Sequence, residues 1–209
     1  MSKIDLNELN TIQYDVLKEI GNIGAGNATT ALSKLINSKV DMRVPKVNLI
    51  GFSELAASIG GEEATMMGIL LSLSEDIKGM MLFMLDLKSA TKLLNMMLTN
   101  MGAPEKREDE EFNEMHLSAL NEIGNIITGA YLSALSDLTR LSIVASVPHL
   151  QIDMAGAILS LPAIEFGKIG DKVLYIETTF NEESEINGYF ILVPELDSYD
   201  RILESLGIC

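Results

Sequence analysis

Two copies of one residue pattern, held in fixed register, restrict this chain more than any other feature of its sequence. Asp15, Glu19 and Asn22 followed by Pro45 return as Ser118, Glu122 and Asn125 followed by Pro148, each 103 residues beyond its counterpart (Asp15 to Ser118). Apolar and small residues keep the same step, among them Leu17 and Leu120, Ile20 and Ile123, Gly21 and Gly124, Gly26 and Gly129, Leu32 and Leu135, and Val44 and Val147. That is an internal duplication. The expectation is one domain over residues 1–209, built of two repeats at about 9–101 and 112–209 and related by a pseudo-twofold axis.

Each repeat reads in the same order. In the first, 10–37 looks helical, 40–44 and 47–51 read as strand around Pro45, and 54–58 fits a short helix. Apolar runs at 65–73 and 78–85 flank the polar Ser74-Glu75-Asp76, the pattern of a hairpin, and a helix over 88–98 closes the half. The charged, proline-bearing stretch 102–111 reads as a solvated linker or helix lead-in. The second repeat gives helix at 111–138, strand at 142–147, a short helix from near Asp153, strands at 173–179 and 189–193, and a helix at 199–206. Residues 79–83 leading into Asp86 match 188–192 leading into Asp197. Hairpins in both halves predict an α+β fold, a mainly antiparallel sheet with two long, site-bearing helices packed on it.

Composition narrows the partners. With 209 residues and 47% hydrophobic content the chain can bury a substantial core, while its formal net charge of −15 opposes binding to nucleic acid or an anionic membrane. Protein partners with a basic patch are expected. Cys209 is the only cysteine, which excludes an internal disulfide and fits a reducing compartment. His116 and His149 stand apart and no Cys/His cluster has ligand spacing, so no metal of its own is expected. Residues 1–8 lack the basic start and apolar run of a secretory signal, and no stretch nears the roughly 18 apolar residues of a spanning helix. A cytoplasmic chain without membrane insertion is the expectation. The Met-rich stretches at 66–67, 80–84 and 96–97 read as adaptable core.

The long helices aim the repeated polar residues. At about 100° per residue, Asp15, Glu19, Asn22 and Gly26 fall on one face of the first helix, with Val16, Ile20, Ile23, Asn27 and Ala31 opposite. Ser118, Glu122, Asn125 and Gly129 share one face of the second, with Leu120, Ile123, Ile127, Ala130 and Ala134 opposite. Both polar stripes are predicted to face away from the core. Each glycine inside a helix costs about 1 kcal/mol relative to alanine, so Gly21, Gly24, Gly26, Gly124 and Gly129 need a compensating use. For Gly26 and Gly129 that use is a flat platform that another backbone can approach; Gly21 and Gly124 are assigned to internal packing.

A Glu and an Asn at i and i+3 restrict the chemistry. A carboxylate can anchor a cation, act as a base or bind metal, and a carboxamide both donates and accepts, so it can hold a water in one orientation without being consumed. Ser118 has Asp15 in its place in the other half, which excludes serine catalysis common to both sites. Water positioning against an already activated electrophile remains, as does a paired-carboxylate hydrolase built on Glu19 and Glu122, which needs the two within about 10 Å.

The doubled pattern of Asp or Ser, Glu, Asn and Pro, set within 19–27 and 121–126, resembles the CheC/CheX/FliY phosphatases of bacterial and archaeal chemotaxis over nearly the whole chain. The resemblance implies that the substrate is the aspartyl phosphate of the response regulator CheY. It implies that Asn22 and Asn125 orient the attacking water, that Glu19 and Glu122 pair with a lysine of the regulator, and that the regulator brings its own Mg²⁺. Asp15, Ser118, Gly26 and Gly129 would support the docking surface. It also implies a second partner, the deamidase CheD, for which Asp153 is either a contact or simply a helix N-cap. Non-catalytic docking to the regulator, as in the flagellar switch protein FliM that shares this fold, is the rival from another class, together with a pure CheD-binding module.

Overall fold

The computed structural model describes residues 5–40, 45–107, 109–166, 172–180 and 186–208. Helix α1 (Thr11–Leu35) leads to strand β1 (Lys46–Gly51), helix α2 (Phe52–Ser58), the hairpin β2 (Thr65–Glu75) and β3 (Gly79–Asp86), and helix α3 (Leu87–Asn100). Helix α4 (Glu114–Thr139), strands β4 (Ile143–Ala145) and β5 (His149–Met154), helix α5 (Ala155–Phe166), the hairpin β6 (Lys172–Phe180) and β7 (Ile186–Pro194), and helix α6 (Leu196–Ser205) follow. All pairings are antiparallel, in the order β1-β6-β7-β3-β2-β4, with β5 also on β2.

The sheet carries the pseudo-twofold axis between β3 and β7. Gly79 faces Pro194 and Leu85 faces Gly188 across it. Strand β1 pairs with the other repeat's hairpin at β6 (Lys46 beside Glu177), and its counterpart β5 pairs with β2 (His149 beside Leu70). The halves are thus interleaved through the hydrogen-bond ladder. The step of 103 holds through helices and first strands, but the hairpins repeat at 107, with Met67 beside Leu85 in one and Leu174 beside Leu192 in the other. Gly79 therefore corresponds to Ile186, not to Gly188, and the N-cap position of the closing helix, where the Asp86 side chain accepts from the Ser89 amide in the first half, is occupied in the second by Glu195, not Asp197, without a side-chain cap.

Strand β3 shows why helices cover both sheet faces. Its side chains alternate, with Met81, Phe83 and Leu85 in one core cluster and Met80, Leu82 and Met84 in the other. A continuous apolar run leaves no face for water. The first core takes α1, α3, α4 and α6, while α2 and α5 cover the second. This outer pair makes a second helix layer that the sequence reading did not assign.

Other departures are local. Of the strand expected at 40–44, residues 41–44 lie outside the described residues, and the strand expected at 142–147 is shorter, Ile143–Ala145, with backbone hydrogen bonds from Asp76 to Ser142 and from Ser146 to Ser72 flanking it. Strand β5 was missed and extends through Asp153, so α5 starts at Ala155 and Asp153 does not cap it. The charged stretch 102–111 is docked, not merely solvated. Asn95 of α3 donates to the Lys106 carbonyl (2.9 Å) and accepts from its amide (2.8 Å), and the Lys106 ammonium, buried, lies 4.5 Å from the Phe112 ring centre. Among the described residues no helix is long and apolar enough to cross a membrane.

Candidate functional site

Both site helices start at a reciprocal capping box. In α1 the Gln13 amide donates to Asn10 Oδ1 (2.9 Å) and the Asn10 amide to Gln13 Oε1 (3.0 Å). In α4 the His116 amide donates to Asn113 Oδ1 (3.0 Å) and the Asn113 amide to His116 Nδ1 (3.4 Å). These satisfy backbone donors that a helix start leaves without partners. Asn10 and Asn113, like Gln13 and His116, are 103 residues apart (Asn10 to Asn113). The sequence reading began the first helix at Asn10 and the second near 111, and did not identify the two capping boxes, although the repeat step marks them.

Three glycines then fix how each helix is turned. A Cβ on Gly21 would sit 2.9 Å from the Val47 methyls and 3.1 Å from Ile176, so that side of α1 lies on β1 and β6. Gly124 faces Ile69 of β2 in the same way, and Gly24 meets the ring of Tyr131 where α1 crosses α4. The sheet holds one side of each helix and the neighbouring helix holds another. The polar stripe takes the side away from both.

Asp15, Glu19, Ser118, Glu122, Asn125 and Gly129 are exposed accordingly, and Gly26 is half-buried. A Cβ on Gly26 or Gly129 would meet nothing within 4 Å. Beside Gly129 a groove of about 440 Å³ runs between α4 and β4, lined by Ser133, Ser136 and Ile143. Alanine at Gly26 or Gly129 should raise stability by about 0.5–1 kcal/mol each, since helix propensity improves and nothing is displaced. Thermal unfolding checks this, and a lowered midpoint would show a contact on the stripe.

Asn22 departs from the expected exposure. The residue is half-buried, and its Oδ1 is enclosed with no hydrogen-bond partner among the described residues. The apolar side of α1 also differs from the expected one. Leu17, Gly21, Gly24, Ala25, Ala28 and Leu32 are buried, Ile20 is shared with the expected set, Val16, Ile23 and Ala31 are half-buried, and Asn27 is exposed. Small residues set this burial because α1 must approach α4 closely, so hydropathy alone misplaced the face. In α4 the expected Leu120, Ile123, Ile127 and Ala134 are buried and Ala130 is half-buried.

The two stripes turn away from the shared α1–α4 contact, so Glu19 and Glu122 do not face each other. Among the described residues no group of three or more His, Cys, Asp or Glu could hold a metal ion. Asp153 lies elsewhere. It sits opposite Met66 in the β5–β2 ladder, and Met66 belongs to the core on the α2 and α5 side, so Asp153 is across the sheet from both stripes. Its carboxylate accepts from the Met154 amide (2.7 Å) and from Gln151 Nε2 (3.2 Å).

Comparison with known proteins follows the same division of the chain. The model of the CheC-like family matches residues 12–49 and 115–152, the two long helices with the strand after each. The chain is 35% identical to the CheY-P phosphatase CheC of Bacillus subtilis (strain 168), over 93% of this chain and 94% of that one. Among solved structures it resembles Thermotoga maritima FliY at a TM-score of 0.71, with 24% identity over 95% of this chain and 98% of that one. A chain of the CheX–CheY–BeF3–Mg²⁺ complex of Borrelia burgdorferi matches with a TM-score of 0.52 and 16% identity, over 87% of this chain and 98% of that one. With doubled helices, interleaved strands and a relative of this identity across nearly its full length, the chain belongs to the CheC-like family.

Proposed function

We propose that this chain is a cytoplasmic phosphatase that hydrolyses the aspartyl phosphate of phosphorylated CheY. The observation that carries the reading is the Glu and Asn pair repeated on two symmetry-related helices beside an open glycine, with Glu19, Glu122 and Asn125 exposed and Asn22 half-buried. Asn22 and Asn125 hold a water in line with the phosphorus. The water oxygen bonds to phosphorus, the bond from phosphorus to the aspartyl oxygen breaks, and the carboxylate leaves as inorganic phosphate takes up the water's oxygen and releases a proton to solvent. An acyl phosphate is already activated, so ordering one water supplies what the step needs.

Glu19 and Glu122 fix the approach by pairing with a lysine of the regulator. Asp15, Ser118, Gly26 and Gly129 shape the surface on which it docks. Mg²⁺ comes with the regulator, and the chain supplies positioning in place of a metal site. That CheC of B. subtilis is a CheY-P phosphatase, and that the B. burgdorferi complex unites CheX, CheY, BeF3 and Mg²⁺, support the assignment. CheD is the second partner, bound on the opposite sheet face near Asp153 and so without blocking either stripe.

Phosphate release from phosphorylated CheY, with and without this protein, tests the reading. Release should accelerate, and Asn125→Ala should slow it more than Asn22→Ala, because the Asn125 amide is exposed while Asn22 Oδ1 is enclosed. Binding of phosphorylated CheY without faster release would favour the FliM-like docking function instead.

A further inference from the structure

One exposed apolar side chain heads each polar stripe. Ile12 is 62% exposed and Met115 is 53% exposed, and the two are 103 residues apart (Ile12 to Met115). Each is the second residue of its helix, held just after the capping boxes of Asn10 and Asn113. Neither belongs to the pair that closes a capped helix start, which joins the residue before the cap to the fourth residue of the helix. On the helical wheel both fall with Glu19 or Glu122, on the side that faces neither the sheet nor the neighbouring helix. Of the other exposed apolar residues, Val144, Met154, Leu161 and Ile164 correspond to Asp41, Gly51, Ser58 and Gly61, while Val147 corresponds to Val44, which lies outside the described residues.

A single exposed apolar side chain needs no explanation by itself, whereas one kept at the equivalent place in both copies does. A duplicated core has no use for two such side chains, yet both copies keep one at the same place. We propose that Ile12 and Met115 are apolar anchors that seat phosphorylated CheY on the stripes, an inference that rests on the phosphatase function above. At about 1.5 Å per residue, each anchor stands about 15 Å along its helix from the amide of Asn22 or Asn125. The regulator must therefore present an apolar patch about 15 Å from its phosphorylated carboxylate. The anchor binds substrate and transition state alike, so it sets the concentration at which the enzyme works and leaves the chemical step alone.

The test is steady-state phosphate release over a range of phosphorylated CheY, with Ile12→Gln and Met115→Gln combined. Glutamine is a good helix former and adds no charge, so neither folding nor long-range attraction changes. KM should rise about tenfold, as expected for losing a partly buried apolar anchor, with kcat within about twofold and the unfolding midpoint unchanged. Ile12→Leu with Met115→Leu should restore KM. An unchanged KM in the glutamine variant, or a fall in kcat alone, overturns the anchors while leaving the phosphatase assignment intact. Absence of acceleration by the unmodified protein would instead remove the assignment on which they rest.

Discussion

Alanine at both Asn22 and Asn125 is expected to reduce the accelerated hydrolysis of phosphorylated CheY by about 100-fold or more, to the level of the regulator alone. Serine catalysis common to both sites is excluded, because Ser118 is matched by Asp15, and among the described residues no group of three or more His, Cys, Asp or Glu could hold a metal ion. The double variant should also be at least as stable as the parent. Asn125 is exposed in mid-helix, where alanine is the better helix former by a few tenths of a kcal/mol. At Asn22 the gain should be larger, since an enclosed acceptor without a donor costs about 1–3 kcal/mol and the substitution removes it. Phosphate release and thermal unfolding, measured on the same preparation, check both parts. Full acceleration by the double variant would end the water-positioning mechanism.

The legible and illegible parts of this molecule divide along the range of the forces involved. The two long helices, the hairpins and the repeat were readable because periodicity and register are properties of the chain itself. Ala28, Gly24 and Tyr131 were not readable as a packing unit, because which side of α1 is buried depends on the size of the residue that α4 brings to it. Strand β5 escaped although Leu150 and Ile152 alternate with His149, Gln151 and Asp153 and its counterpart β1 was read, both strands pairing with the other repeat's hairpin. The second helix layer had a signal in the unbroken apolar run of β3, which alternates between two cores. At the candidate site, the outward direction of Glu19, Glu122 and Asn125 followed from helix geometry, whereas the enclosure of Asn22 Oδ1 is a tertiary effect that no spacing rule contains.

Isoleucine at Gly24 is expected to destabilise the fold by about 3 kcal/mol, and Tyr131→Ala in the same chain should recover part of that loss. A side chain at Gly24 runs into the ring of Tyr131, which is fully buried. The ring cannot retreat. Phe190 of β7 stacks on it with centroids 5.3 Å apart, and Phe83 backs Phe190 at 4.8 Å. Overpacking of this kind costs about 1–3 kcal/mol and sometimes more, and a modest gain in helix propensity only partly offsets it. Tyr131→Ala alone should cost about 3–5 kcal/mol as a cavity. No hydrogen bond is lost with it, since the Tyr131 hydroxyl has no partner among the described residues and burial pushes its pKa well above the ordinary value. The pseudo-twofold relates Gly24 and Tyr131 to Ile127 and Ala28, both fully buried, so the symmetry-related positions already carry a large residue on α4 in place of the glycine and a small one on α1 in place of the tyrosine. Gly24→Ile with Tyr131→Ala rebuilds that arrangement, and the two changes should couple favourably by about 1 kcal/mol or more. Urea midpoints for the four proteins of the cycle measure it. If the two substitutions are additive, the glycine and the tyrosine do not share one space, and the orientation that turns both stripes outward must come from the sheet alone.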